Sequence, residues 1–154
     1  MAIRTKDAVA AARGLVGMPY GSGRGELDCI NLIKRVIRTA PGGRRGYTTA
    51  GTASLWASAE ACGKYRDLTR RQIGLSGAAP GMLAFKGAPA GYAGQPHHVG
   101  LVAECGGRLT VIHASSTKGE VVEEALRERD GWTLLAVHRL IRTGQRKEAD
   151  RDGQ

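Results

Sequence analysis

The sequence predicts an α+β domain in which helices come first and an antiparallel sheet follows. Two observations carry this prediction. The first part of the chain has apolar residues at helical spacing, and the second half alternates apolar and polar residues over short segments between glycine-rich turns. Helices followed by a run of strands are typical of α+β domains. The 154 residues are enough for one domain with its own core.

Three segments are predicted to be helical. The first spans residues 5–16, where alanine, valine and leucine lie on one side. The second begins at Cys29 and keeps its apolar residues within one arc of roughly 160°. It ends before the proline-glycine-glycine turn at 41–43, which cannot continue a helix. The third covers residues 50–62 and contains an apolar leucine-tryptophan pair.

The predicted strands are short, alternate in polarity and are bounded by turn residues. They cover residues 81–86, 98–104, 108–114, 120–125 and 134–141. Cys105-Gly106-Gly107 indicates a hairpin between the second and third of these. Residues 63–80 are predicted to be irregular, with a short helix near Leu68, and residues 87–96 to form a flexible loop. We expect residues 1–142 to be one domain and the polar segment 143–154 to be a disordered tail.

The formal net charge of +9 indicates an acidic partner. Nucleic acid is a frequent partner of basic chains, but aromatic residues make up only 5% of this one, and no nucleic-acid-binding motif is visible. We therefore expect no nucleic acid as the main partner. An anionic surface such as the bacterial cell wall explains the charge equally well. A solvated basic face with no specific partner is a third interpretation.

The cysteine content argues against both disulfides and zinc. Three cysteines are an odd number, and no two of them have the spacing of metal ligands. We expect neither a metal nor a cofactor, and Cys62 and Cys105 are interpreted as incidental thiols. No segment has the length and apolarity of a membrane span or the pattern of a secretory signal, so membrane insertion is not expected.

Cys29 is the most informative residue, because it stands at a predicted helix start directly after Asp28. Aspartate is a good N-cap residue, which places Cys29 in the first helical turn. There the unpaired backbone N–H groups and the positive end of the helix dipole favour a thiolate. A nucleophilic thiol also needs a base, and His98 and His113 on predicted strands are candidates. The alternative is that Cys29 is a small core residue and that both histidines are half-buried strand residues.

Several short motifs occur in a characteristic order along the chain. They are Gly17-Met18-Pro19-Tyr20, a glycine-rich spacer, Asp28-Cys29, Gly81-Met82-Leu83-Ala84-Phe85, His98-Val99-Gly100-Leu101-Val102 and Val111-Ile112-His113-Ala114. In these motifs and their spacing the chain resembles the NlpC-like cell-wall peptidases, a branch of the papain-like cysteine peptidase superfamily. The resemblance covers about residues 5–141.

The resemblance implies a papain-like fold, in which a nucleophile at a helix start packs on an antiparallel sheet that carries the histidines. It also implies a thiol hydrolase that cuts peptidoglycan stem peptides, typically between γ-D-glutamyl and a diamino acid. By this resemblance Cys29 is the nucleophile, His98 the general base and His113 the polar residue that orients His98. Tyr20 resembles a tyrosine that lines the cleft, and it is grouped with Asp28 on the substrate and oxyanion side of the site.

The chain departs from the family where Asp-Cys-Ser-Gly-Leu is usual, because it has Asp28-Cys29-Ile30-Asn31-Leu32. The replacement of serine and glycine by Ile30 and Asn31 is expected to affect the shape of the cleft floor and the choice of substrate more than the reaction chemistry. The lack of a secretory signal suits a phage lysin, a tail-associated enzyme or a delivered effector. We expect a monomer made in the cytoplasm that acts at the cell wall after lysis, phage assembly or specialised delivery.

Two other functions stay open at this point. One is a papain-like amidase or acyltransferase that uses the same thiol on another substrate. The other is a non-catalytic basic module that binds cell wall or nucleic acid. Because side chains alternate across a strand, His97 and His98 cannot both face Cys29. We expect His98 to face Cys29, with Gly100 leaving space near the thiol. Val99 and Leu101 are then expected to pack into the core.

Overall fold

The computed structural model describes residues 2–87 and 96–143, with the backbone alone for Lys64. The flexible loop predicted at 87–96 and the tail predicted at 143–154 lie outside the described residues, except for their end residues 87, 96 and 143.

Within residues 2–87, three α-helices precede the sheet, as the sequence predicts. They are α1 (Thr5–Arg13), α2 (Cys29–Thr39) and α3 (Thr52–Ala57). The first is shorter than predicted because the chain turns at Gly14, whose N–H bonds back to the helix. The third is also shorter, since the Ser58 hydroxyl bonds to the carbonyl of Leu55 and the chain continues as two 3₁₀ turns.

In the described part of the chain, six strands follow and form one antiparallel sheet in the order β1-β6-β2-β3-β4-β5. They are β1 (Leu68–Ile73), β2 (Leu83–Lys86), β3 (His98–Cys105), β4 (Arg108–Ser115), β5 (Glu120–Ala125) and β6 (Trp132–His138). Cys105 pairs with Arg108 across a two-residue turn. That turn uses Gly106 and Gly107 at φ values of 60° and 82°, which only glycine adopts readily. The predicted hairpin is confirmed.

The prediction of an irregular segment with a short helix near Leu68 is wrong. Leu68 begins strand β1, which pairs with β6 at the edge of the sheet. The sequence of β1 hides its strand character, because Leu68 is its only fully buried residue and Ile73 at its other end is 86% exposed. Pairing with β6 therefore stabilises this strand more than any apolar face of its own.

The sheet has a different apolar cluster on each face. We call the larger one the helix-side core, because it joins the buried faces of α1 and α2 to Val99, Leu101 and Ile112 of the sheet. The smaller one, here the outer core, lies on the opposite face. It consists of Met82, Ala84, Val102, Val111, Trp132 and Leu135. Val99 and Leu101 thus pack into the core, as the alternation along β3 predicts.

A buried hydrogen-bonded chain secures the end of β6. The Leu140 N–H donates to Nδ1 of His138 over 3.1 Å, and Nε2 of His138 lies 3.0 Å from the Tyr47 hydroxyl. That hydroxyl lies 3.1 Å from Oδ2 of Asp67. Burial lowers the pKa of His138 from 6.5 to about 3, so this histidine is neutral within the chain of hydrogen bonds.

Candidate active site

The start of α2 has the geometry that the sequence predicts. Oδ1 of Asp28 accepts a hydrogen bond from the backbone N–H of Asn31 over 2.9 Å, so Asp28 is the N-cap. Cys29 is the first helical residue and is half-buried. The next turns bury Leu32 and Ile33 in the helix-side core, which holds the helix start in place.

Thr52 contacts the thiol and was not found by the sequence analysis. Its Oγ1 lies 3.3 Å from Sγ of Cys29, and only 8% of the residue is exposed. Thr52 is the first residue of α3, so two helix starts meet at this point. No local sequence signal relates the two residues, because 23 positions separate them along the chain.

The two predicted histidines are in direct contact. Nε2 of His98 lies 2.8 Å from Nδ1 of His113, and the two rings are nearly perpendicular at 86°. His98 is the first residue of β3 and is half-buried, whereas His113 on β4 is only 3% exposed. The neighbouring His97 is exposed and precedes the strand.

Two further residues extend this contact, and neither was predicted from the sequence. Nε2 of His113 lies 2.6 Å from Oε1 of Glu124 on β5, and Oε2 of Glu124 lies 2.9 Å from Nζ of Lys118. The hydrogen bond from Lys118 is the main reason that the pKa of Glu124 is lowered, so this side chain is a carboxylate. The acidic composition of β5 is visible in the sequence. The sequence does not show which of these carboxylates faces a histidine.

Trp132 covers both imidazoles on the outer-core face. The Trp132 ring centroid lies 5.4 Å from that of His98 and 5.0 Å from that of His113. Nζ of Lys86 lies 5.1 Å from the same Trp132 centroid. Burial is the main reason that the pKa of His98 is lowered from 6.5 to about 3, with His113 and Lys86 acting in the same direction. Burial also lowers the pKa of His113, although its hydrogen bond to Glu124 opposes the effect. Both imidazoles are therefore neutral at neutral pH.

The structure joins the two histidines but gives Cys29 a different partner. His98 and His113 lie with Trp132 on the outer-core side of the sheet, whereas α2 packs on the helix-side core. The Cys29 sulfur forms its hydrogen bond with Thr52. Cys29 and His98 are nevertheless the first residues of α2 and β3, two elements that pack against each other. Each residue thus lies at the end of its element.

Tyr20 is held near the start of α2 by its backbone. It pairs with Leu27, two residues before Cys29, and its N–H donates to the carbonyl of Gly119 over 2.9 Å. Its residue exposure of 38% leaves the ring accessible to solvent. The glycine-rich segment between Tyr20 and Leu27 is thereby closed into a loop.

Neither a metal centre nor a membrane helix emerges from the described part of the chain. Across residues 2–87 and 96–143, histidine, cysteine and acidic side chains form no group of three or more that could hold a metal ion. In the same ranges, every helix is too short or too polar to cross a bilayer.

Solved structures that resemble this one include a peptidoglycan hydrolase and a P60 domain. The peptidoglycan hydrolase RipB from Mycobacterium tuberculosis matches 90% of this chain and 65% of its own chain, with a TM-score of 0.57 and 19% identity. A P60 domain from an antigen of M. avium subspecies paratuberculosis matches 88% of this chain and 94% of its own, with a TM-score of 0.56 and 18% identity. This chain has the fold of these two proteins. The predicted α+β class, with helices preceding an antiparallel sheet, is confirmed. No protein-family model matches the sequence, and no curated protein matches it significantly.

Proposed function

We propose that the protein is a cysteine peptidase of the NlpC-like family that hydrolyses peptidoglycan stem peptides, at a bond of the γ-D-glutamyl–diamino acid type. The observation that carries the proposal is the 2.8 Å contact between His98 and His113, in a chain that also starts a capped helix with Cys29. The shared fold with RipB, which is a peptidoglycan hydrolase, supports the choice of substrate.

In the proposed reaction His98 takes the thiol proton of Cys29, and the resulting thiolate attacks the carbonyl carbon of the scissile amide. The backbone N–H of Cys29 stabilises the oxyanion that forms, because α2 begins there and this N–H has no partner within the helix. Protonated His98 then gives its proton to the departing amine, leaving a thioester on Cys29. Water, deprotonated by His98, hydrolyses the thioester and releases the acid and the free thiol.

This mechanism requires Cys29 and His98 to meet at the margin between α2 and β3. Both are the first residues of their elements, and both are only partly buried. His98 is neutral, so one of its ring nitrogens carries the lone pair that accepts the thiol proton. Thr52 is placed to hold the sulfur until the substrate arrives.

We assign supporting roles to Asp28 and Tyr20. Asp28 stabilises the helix start, and thereby the orientation of the Cys29 N–H, through its bond to Asn31. The accessible ring of Tyr20, anchored next to Leu27, lines the cleft beside the nucleophile. Ile30 and Asn31 occupy the positions where the family has serine and glycine, and both are half-buried there.

We further propose that the protein acts at the bacterial cell wall, reached by lysis, phage assembly or specialised delivery. The net charge of +9 is the property that favours an anionic wall polymer as the surface on which it works.

The experiment is the digestion of purified peptidoglycan, followed by mass analysis of the released fragments. The parent protein should release fragments with new free amino groups on the diamino acid, and Cys29→Ala should release none while keeping its thermal midpoint. Cys62→Ala and Cys105→Ala are matched controls that should stay active, because both thiols are exposed and lie elsewhere in the chain.

The fragments also discriminate the other functions. Products joined to an added amine would indicate an acyltransferase, and wall binding without fragments would indicate a non-catalytic module. A Cys29→Ala variant as active as the parent would refute the assignment of the nucleophile.

A further inference from the structure

The hydrogen-bonded chain that begins at His98 does not end at His113. It passes through Nε2 of His113 to Oε1 of Glu124 and through Oε2 of Glu124 to Nζ of Lys118, at 2.6 Å and 2.9 Å. These four residues come from β3, β4, the turn after β4, and β5. This series of hydrogen bonds therefore crosses neighbouring strands, from the half-buried ring of His98 to the exposed ammonium group of Lys118.

The direction of each hydrogen bond follows from the carboxylate. An ionised glutamate can only accept, so Nε2 of His113 must carry a proton and donate it. A neutral imidazole has one N–H, so Nδ1 of His113 must be the acceptor in its contact with His98. Nε2 of His98 must then be the donor. The remaining nitrogen of His98, Nδ1, is left with a lone pair.

We propose that Glu124, held by Lys118, is a positioning residue that fixes the tautomers of His113 and His98 and so keeps Nδ1 of His98 ready to take a proton. The catalytic consequence rests on the proposed function, whereas the tautomers are a property of the folded chain alone. Without an acceptor at position 124, His113 can carry its proton on Nδ1 instead. Nδ1 of His113 then donates to Nε2 of His98, which reverses the direction of their hydrogen bond. The proton of His98 is thereby placed on Nδ1, the nitrogen that must be free to accept the thiol proton.

The neighbouring carboxylate shows that this placement is specific. Glu123 alternates to the other face of β5, where Oε2 lies 2.8 Å from the Arg13 guanidinium and 2.6 Å from the Thr110 hydroxyl. Lys118 is oriented by its own turn, because its backbone N–H donates to the Ser115 hydroxyl over 3.0 Å. Thus Glu124 alone of this pair bonds to a histidine.

The test uses the full chain with ¹⁵N-labelled histidine, in which long-range ¹H–¹⁵N correlations identify the protonated nitrogen of each ring. Single His→Gln variants assign the four signals. His138 is an internal reference, because the Leu140 N–H donates to its Nδ1 and so fixes its proton on Nε2. The variants are Glu124→Leu, which removes the acceptor, and Glu124→Gln, which keeps an acceptor oxygen without the charge. Glu123→Leu is the matched control for loss of a carboxylate from β5.

We expect His98 and His113 to carry their protons on Nε2 in the parent protein, in Glu124→Gln and in Glu123→Leu. In Glu124→Leu, the Nδ1–H form of both rings should become populated, while His138 stays unchanged. The kcat for peptidoglycan fragments should fall roughly 10- to 100-fold, the loss typical when a residue that orients a metal-binding histidine is replaced, with KM little changed. Glu124→Gln should recover most of this loss.

Three results would overturn the proposal. One is His98 with its proton on Nδ1 in the parent protein. Another is an unchanged tautomer in folded Glu124→Leu, and the third is a changed tautomer with an unaltered kcat. If the parent protein cleaves no peptidoglycan, the proposed function fails, and the tautomers alone decide whether Glu124 positions the two rings.

Discussion

Gly100 of β3 and His113 of β4 lie so close together that a Cβ on Gly100 would stand 3.0 Å from the Cβ of His113. The same Cβ would lie 2.8 Å from the carbonyl oxygen of Ile112 and 2.7 Å from Cγ2 of Val111. The missing side chain at position 100 therefore leaves room for His113 to lean across β3 and contact His98. The sequence predicts that Gly100 leaves room near the thiol, and in the structure His113 lies in the space beside Gly100.

Gly100→Ala should lower both stability and activity. The added methyl group must displace a backbone oxygen as well as His113, and overpacking of this kind costs roughly 1–3 kcal/mol. Chemical denaturation measures the free energy of unfolding. The kcat shows whether the displaced His113 still positions His98. Gly46→Ala is the control, because its Cβ would meet nothing within 4 Å. Equal behaviour of the two variants would contradict this account of Gly100.

Thr52→Val should slow the reaction of Cys29 with iodoacetamide at neutral pH. The valine keeps the shape but removes the hydroxyl at 3.3 Å, and the thiolate loses a hydrogen-bond donor. Hydrogen bonds to charged groups contribute about 1.5–3 kcal/mol, so a decrease of roughly tenfold or more is expected. Thr52→Ser should restore the rate. The measurement uses a background without Cys62 and Cys105, and an unchanged rate in Thr52→Val would remove Thr52 from the site.

Replacement of the histidines should separate their roles. General acid–base catalysis contributes roughly 10²- to 10⁴-fold, so His98→Ala should lose that much in kcat/KM for a soluble stem peptide. His113→Ala should lose less, because it acts through His98. His97→Ala should lose least, since its side chain is exposed outside the strand. An inactive but folded His97→Ala variant with an active His98→Ala variant would reverse the assignment.

Stability should fall as the pH drops from 6.5 towards 3. The pKa values of His98 and His138 are about 3 in the folded protein and 6.5 in the ordinary state, so the unfolded chain binds protons first. Their contribution is fully present above pH 6.5 and is lost progressively below it. The pKa values of Glu123 and Glu124 are lowered from 4.5 in the folded protein, so their protonation acts mainly near and below that pH. His98→Gln should therefore flatten the decline measured by denaturation between pH 6.5 and 4.5, and an equally steep decline would contradict the shift.

Binding to intact cell walls should weaken with salt, whereas cleavage of a small soluble stem peptide should barely change. The net charge of +9 acts over distances that shrink with the Debye length, which is roughly 3 Å at 1 M salt. Co-sedimentation with walls and peptide turnover, measured at the same salt concentrations, test this difference. Equal sensitivity of the two would show that the basic surface has no part in wall attraction.

The sequence by itself determined the elements whose signals are local. The Asp28 cap, the apolar face of α2 and the Gly106-Gly107 turn each depend on neighbours only a few residues away, so their patterns can be read directly. Alternation along β3 and β4 also determined which side chains pack into the core. By contrast, strand β1 could not be predicted from local sequence, because its partner β6 lies more than 60 residues further along the chain.

Only the tertiary structure decided which side chains meet. The bonds of Cys29 to Thr52 and of His113 to Glu124 join residues that are 23 and 11 positions apart, through the packing of helix starts and the register of strands. A one-residue shift of β5 would have presented Glu123 instead of Glu124 to the histidine, since successive side chains point to opposite faces. The low pKa of His98 likewise arises mainly from burial. Part of the cover over its ring is Trp132, which β6 brings from a distant part of the chain. Local sequence thus placed the reactive groups on their elements, whereas strand register and burial determined their partners and charges.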